Sequence, residues 1–142
     1  MTMDRLVKVD LEYGARPLAD VLDAVERRAA QPLDGIFLDR APGDQAGLGG
    51  VALAVRAARR AGFGLVVLNP GGPVDQAYRA LGAPICVFDG DWADYQRWTG
   101  EGAAPGDGHL VYGVPAAHAE AARELMEWRG AGFGVVAETR TW

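Results

Sequence analysis

Three short apolar runs each stop abruptly on a polar residue at a turn. This narrows the possible folds more than any other feature of the 142-residue chain. Gly35-Ile36-Phe37-Leu38 stops on Asp39-Arg40-Ala41-Pro42. Leu65-Val66-Val67-Leu68 stops on Asn69-Pro70-Gly71-Gly72, and Ile85-Cys86-Val87-Phe88 stops on Asp89-Gly90. A four-residue apolar run without alternation suits a strand buried on both faces, as in a parallel sheet. The ends of such strands are where α/β folds place their chemistry. Three of them, with helical patterns between, predict a row of side chains pointing into one pocket.

Six strand-then-helix units are expected. The first strand is Leu6 to Asp10, and Pro17 opens its helix at a first helical position. Leu18, Val21, Leu22, Val25 and Ala29 share one face of that helix. The second strand is Gly35 to Asp39. A helix follows from Ala46 to Ala61, with Leu48, Val51, Val55 and Ala58 as its buried stripe and Gly62 as its stop. The third strand is Gly64 to Asn69, and Pro73 opens a short helix ending near Gly82. The fourth strand is Pro84 to Asp89, with a short aromatic helix from Trp92 to Trp98. Thr99 to Gly108 is Gly/Pro-rich and reads as a loop. The fifth strand is His109 to Val114. Pro115 opens a last helix ending at Gly130, with Ala119, Ala122, Leu125 and Met126 inward, and the sixth strand is Phe133 to Glu138. Ala61-Gly62-Phe63-Gly64-Leu65-Val66 is echoed by Ala131-Gly132-Phe133-Gly134-Val135-Val136. In both places a helix ends on glycine, a Phe covers the sheet and a strand begins, as repeated use of one βα unit requires. No linker divides the chain, so one domain over residues 1–142 is expected.

Composition removes several function classes. Nearly half the residues are apolar and the net charge is −5, which argues against a nucleic-acid backbone as partner. The pairs Arg27-Arg28 and Arg59-Arg60 fall late in predicted helices, where cations complement the dipole. No apolar run reaches membrane-spanning length and no apolar leader opens the chain, so a cytoplasmic protein without a membrane partner is expected. The lone Cys86 excludes an intrachain disulfide and reads as a small buried hydrophobe. His109 and His118 do not have metal-ligand spacing. The run Gly43 to Gly50 lacks both the Walker lysine and the dinucleotide-binding order. Neither a metal nor a cofactor is expected.

Four motifs in register resemble the spherulin-4-like family (spherulation-specific family 4). They are Tyr13-Gly14-Ala15-Arg16, Gly35 to Arg40, Asn69-Pro70-Gly71 and Phe88-Asp89-Gly90. The resemblance implies a TIM-barrel relative. It also implies kinship with glycoside hydrolases acting on α-1,4-linked galactosamine polymers of microbial exopolysaccharide. The chain departs from the family pattern at three points. The acidic pair Asp-Glu ending the second strand is Asp39-Arg40 here, and the Glu ending a later strand is Asp89. An eight-stranded barrel takes about 200 residues or more, and this chain aligns from the family's third strand. The expected fold is therefore α/β, with parallel (βα) repeats and about six strands, a truncated TIM-barrel-like sheet. Its open edges would be covered by a second copy, with Trp98 and Trp142 as contact candidates.

On this reading the strand ends supply the site. Asp39 and Asp89 are the acid/base pair. An Arg40 approaching Asp39 would lower its pKa, which suits a nucleophile or electrostatic stabiliser and not an acid. Glu138 stands in for the carboxylate that Arg40 replaced, with Glu12 as a second candidate. Asn69 orients a substrate hydroxyl or accepts from Arg40. Asp10, Glu12, Tyr13, Arg16, Tyr112 and Arg140 complete the substrate-binding rim, and Trp92 and Tyr95 offer aromatic faces to a ring. The expected ligand is a carbohydrate or small molecule. Three functions fit: a diverged glycoside hydrolase, a biosynthetic enzyme performing acid/base isomerisation, cyclisation or elimination, and a non-catalytic sugar-binding or assembly protein.

Overall fold

The apolar runs are strands and the amphipathic stretches between them are helices. The computed structural model describes residues 5–30 and 34–140. The elements are β1 (Leu6–Asp10), α1 (Leu18–Arg28), β2 (Gly35–Asp39), α2 (Gln45–Arg60), β3 (Leu65–Asn69), β4 (Cys86–Asp91), α3 (Trp92–Arg97), β5 (Gly108–Tyr112), α4 (Ala119–Trp128) and β6 (Phe133–Val136). Short 3-10 segments occupy Glu12–Gly14, Gln76–Leu81 and Ala116–His118.

All paired strands are parallel, in the orders β1-β2-β3 and β4-β5-β6. A bridge between Leu68 and Ile85 joins the two triplets into one curved, six-stranded sheet. This is the expected partial (βα) barrel. Its register sets Asp10 beside Asp39, and Asp39 beside Asn69.

Strand alternation divides the apolar residues into two layers. Val7, Val9, Ile36, Leu38, Val66 and Leu68 face outward against Val21, Val25, Val51, Val55 and Ala58 of the helices. Leu6, Phe37, Val67, Cys86, Leu110 and Tyr112 fill the inner face. Fully burying a Val, Leu or Ile stabilises by about 1.5–3 kcal/mol, so the outer layer holds the helices firmly on the sheet. Behind β4 and β5, Tyr95, Val111, Val114, Ala122 and Met126 form a third cluster with Phe88, Trp92 and Trp98. Buried Cys86 belongs to the inner layer, and desolvation pushes its thiol well up.

Local chemistry sets the helix ends. Asp44 caps α2 by accepting from the Gly47 N–H. Position 47 must be glycine, because a Cβ there would lie 2.5 Å from Pro42. Pro17 caps α1 from just outside it. The buried face of α1 is Val21, Ala24 and Val25, while Leu18 and Ala29 are exposed. The small Ala24 faces the sheet in place of Leu22. Pro73 opens no helix: the 3-10 turn is nucleated by Asp75, which accepts from Ala77, and ends at left-handed Gly82. Pro115 precedes a 3-10 turn before α4 begins.

The sequence echo is not a structural repeat. Phe63 lies before β3 and packs in the outer layer, whereas Phe133 is the first residue of β6 and packs inside against Gly108. Trp98, expected at a subunit contact, is partly buried at 5.1 Å from Phe88 and 5.0 Å from His109. Trp142 lies outside the described residues.

Candidate functional site

Asp39, Asn69 and Asp89 come together at the C-terminal ends of β2, β3 and β4. They line a hollow of about 310 Å³ together with Lys8, Tyr13, Arg40, Pro70, Gly71 and Arg140. Regular strands deliver Asp39 and Asn69 side by side on the inner face. Asp89 arrives differently. Between Cys86 and Phe88 the register against β5 slips, and Cys86 pairs with Gly108 while Phe88 pairs with His109. The bulge at Val87 puts one extra residue on β4. Val87 and Phe88 both pack away from the interior, and Asp89, opposite Leu110, turns into it. Bulges commonly re-aim a side chain in this way.

One amide ties the two carboxylates together. The Asn69 Nδ2 group donates to Asp39 Oδ1 at 2.9 Å and to Asp89 Oδ2 at 2.8 Å. A shared donor keeps those two oxygens within about 6 Å of each other. Asn69 is 2% exposed and Asp39 5%, so the pair is set in the protein wall. The Asn69 Oδ1 atom is buried with no hydrogen-bond partner among the described residues. Both carboxylates face cations. Lys8 Nζ lies 3.2 Å from Asp39 Oδ2, and Arg140 Nη2 lies 3.2 Å from Asp89 and 4.0 Å from Asp39. Arg140 also covers the Tyr112 ring at 5.2 Å. Burial, then the Asp89 carboxylate, pushes the Tyr112 phenol up, so it stays protonated at neutral pH.

Arg40 does not take the position expected of it. Its guanidinium grips Asp10 with Nε at 2.9 Å and a second bond from Nη2, and this pairing holds the Asp10 carboxyl below its ordinary range. The cations beside Asp39 are Lys8 and Arg140. The cause is backbone geometry: Arg40 sits at φ +47°, in the left-handed region, and turns its side chain back over β1. Glu12 (φ +49°) and Tyr13 (φ +53°) share that conformation. Among the described residues these three are the non-glycine positions with positive φ, and all lie at this rim. Such strain persists only where surrounding bonds over-determine it. Here those bonds include Tyr13 N–H to Arg40 O at 2.6 Å and Glu12 N–H to Asp10 Oδ1 at 2.8 Å.

The remaining expected residues divide. Tyr13 is exposed on the rim, 5.8 Å from the Arg40 guanidinium. Tyr112 lies on the inner face beneath Arg140. Glu12 and Glu138 are exposed and do not line the hollow, because β6 stops at Val136 and the Glu138 carbonyl is used by the Gly113 N–H. Arg16 donates to the Asp10 carbonyl and faces neighbouring grooves. Trp92 and Tyr95 do not present their rings to the hollow. They pack behind the sheet, where the Tyr95 hydroxyl meets His109 Nδ1 at 2.7 Å. The aromatic stripe is core because α3 lays it against β5.

Lys8 is the site residue that sequence reasoning missed. It is the chain's single lysine, set in an otherwise apolar strand on the same face as Asp10. A lysine inside an apolar run, on the face that carries the strand's terminal Asp10, is a legible signal. Chemically, the site offers two carboxylates for acid/base or nucleophilic work and two cations for anionic groups. Among the described residues, no group of three His, Cys, Asp or Glu side chains is placed to hold a metal ion. No helix among them is long and apolar enough to cross a membrane.

Comparison with known proteins agrees with this architecture. The family model of spherulation-specific family 4 matches residues 4–138. The crystal structure of Aspergillus clavatus Sph3 in complex with GalNAc superposes with a TM-score of 0.77 at 22% identity. The match covers 94% of this chain and 63% of that one, so the chain spans less than two thirds of the Sph3 structure. No curated protein matches the chain. With nearly its whole length matched by the family model and the barrel-like sheet in place, the chain belongs to spherulation-specific family 4.

Proposed function

We propose that the chain acts on a glycosidic bond of a hexosamine-containing glycan, with Asp39 and Asp89 as the reacting carboxylates. The observation that carries this reading is the Asn69 amide shared between them. It keeps the two bonded oxygens within about 6 Å, a bound that admits the roughly 5–5.5 Å separation at which a second carboxylate attacks the sugar directly, without an intervening water. One carboxyl gives its proton to the leaving oxygen as the glycosidic C–O bond breaks, the other bonds the anomeric carbon, and water, deprotonated by the first, then hydrolyses that ester and frees both carboxyl groups. Asp39, buried against Lys8, is the fixed anion. Asp89, nearer the rim, delivers the proton once substrate displaces the part-exposed Arg140. The Sph3 structure is a complex with GalNAc, which supports a hexosamine as the class of ligand.

The test is release of reducing ends from α-1,4-galactosaminogalactan, N-acetylated and deacetylated, by the wild type, Asp39→Asn and Asp89→Asn. General acid/base groups contribute about 10²–10⁴-fold, so each variant should lose at least roughly a hundredfold. No release by folded wild type, or full release by Asp39→Asn, overturns the proposal. A second reading draws on Lys8 and Arg140 beside the carboxylates. Such cations stabilise a developing oxyanion, as acid/base isomerisation, cyclisation or elimination of an anionic metabolite requires. It gains if no glycan is cleaved while small carboxylates compete for the hollow.

A further inference from the structure

Helices α2 and α4 turn faces of opposite charge outward. α2 carries three arginines and no acid, and α4 carries three glutamates against one arginine. The helix dipole accounts for Arg59 and Arg60 in the last turn of α2. It opposes Glu127 at the same end of α4, where the last turn has no basic residue. Each helix also exposes one large apolar side chain: Leu53 is 45% exposed and Trp128 is 88% exposed. Leu53, Arg56 and Arg60 follow one another along an exposed stripe of α2, and Trp128, Glu124 and Glu120 along one of α4. Within the stripes Arg56 repels Arg60 and Glu120 repels Glu124, each pair one turn apart. Among the described residues, none of these four has an ion-pair partner.

The two stripes match in register. At about 1.5 Å per residue, Arg56 and Arg60 lie roughly 4.5 and 10.5 Å along α2 from Leu53. Glu124 and Glu120 lie roughly 6 and 12 Å back along α4 from Trp128. Laid antiparallel with Trp128 on Leu53, the helices set Glu124 on Arg56 and Glu120 on Arg60. Gly49, one turn before Leu53, has open space above it, which leaves room for the indole. We propose that these faces join copies of this chain, with α4 of one copy seated on α2 of the next. α2 packs behind β2 and β3, and α4 behind β5 and β6, so one copy cannot bring its own two faces together. The contact is heterologous and extends into a ring or a row. Two helix stripes make a small interface, so the association is reversible. Neither helix lines the Asp39–Asp89 hollow, which stays open in every copy. Several hollows in one assembly gain avidity for a repeating glycan; that gain rests on the glycan reading above, and the assembly does not.

The experiment is sedimentation equilibrium from micromolar to near-millimolar protein, with charge reversal on each face. The mass of the wild type should rise above that of the monomer as concentration increases. Arg56→Glu/Arg60→Glu and Glu120→Arg/Glu124→Arg should each weaken association at least about tenfold, because each sets like charges against each other. Trp128→Ala should weaken it by a similar factor, as loss of an aromatic anchor does. An equal mixture of the two charge-reversed variants should associate again, since the reversed face of each then meets its complement on the other. Both variants stay net negative, because the wild-type charge is −5 and each double substitution moves it by four; general attraction therefore does not account for recovery. Recovery in the mixture also shows that the variants are folded. A wild type that stays monomeric at near-millimolar concentration overturns the inference. A mixture that stays monomeric overturns it too. Association undiminished in both variants does the same, and assigns the contact to the open edges of the sheet. The readout is mass, so absence of hydrolysis counts against the proposed reaction and not against this contact.

Discussion

Replacing Asn69 by Ala isolates the amide that organises the site. Its two bonds, at 2.9 and 2.8 Å, both go to carboxylates. Hydrogen bonds to charged groups contribute about 1.5–3 kcal/mol each. Asp39 keeps Lys8 at 3.2 Å and Asp89 keeps Arg140 at 3.2 Å after the substitution, so the low end of that range applies to each. The expected loss is about 3 kcal/mol, a large share of a typical total stability of about 5–15 kcal/mol. Urea unfolding monitored by tryptophan fluorescence reads this directly, with a lowered midpoint and an unchanged slope. In the background of Asp89→Asn one of the two bonds loses its charge assistance. There Asn69→Ala should cost less, by about 1 kcal/mol. A wild-type cost below about 0.5 kcal/mol, the usual scatter of neutral surface changes, would refute the argument. So would an identical cost in both backgrounds, because the amide would then not be what holds the carboxylates.

Three further outcomes follow from packing and burial. A Cβ at Gly108 would lie 2.3 Å from Phe133 and 3.0 Å from the Cys86 sulfur, so Gly108→Ala should cost about 1–3 kcal/mol in urea unfolding. Gly49 has nothing within 4 Å, and Gly49→Ala in the middle of α2 should gain up to about 1 kcal/mol. His109 is 1% exposed, and burial lowers its pKa from 6.5 to about 4. The unfolded chain therefore binds the proton more readily than the folded one. The contribution is full above pH 6.5 and is lost as pH falls toward about 4, amounting to on the order of 3 kcal/mol. A pH series of unfolding curves should show this slope, and His109→Gln should flatten it.

Much of the fold is legible because buried parallel strands leave uninterrupted apolar runs. β1 and β2 have the boundaries that their sequences predict. Errors concentrate where local chemistry competes with pattern. Asp75, a better cap than Pro73, starts the turn before Gly82. The Phe63 and Phe133 contexts match in sequence but differ in whether the residue precedes its strand or belongs to it. Trp92 and Tyr95 carry helical spacing, which states that a face is buried without stating against what. Arg40 could not be placed from its position next to Asp39, because its direction depends on a left-handed backbone that is rare for a non-glycine residue.

The carboxylate pair shows most clearly where reading by position ends. Asp39 and Asn69 follow from alternation: Phe37 and Val67 point inward, so the residues two further along do as well. Asp89 does not. Cys86 points inward, and strict alternation would send Phe88 into the interior and Asp89 out among the helices. The bulge at Val87 reverses that parity, putting Phe88 against Tyr95 and Trp98 and bringing Asp89 to the Asn69 amide. Gly90, close to the Phe88 ring, and the aromatic wall of α3 give Phe88 its place outside. The residues that build this wall are the ones that resemble a ligand-stacking stripe. Their role at the site is indirect: by taking up Phe88 they leave the next side chain only the interior to enter.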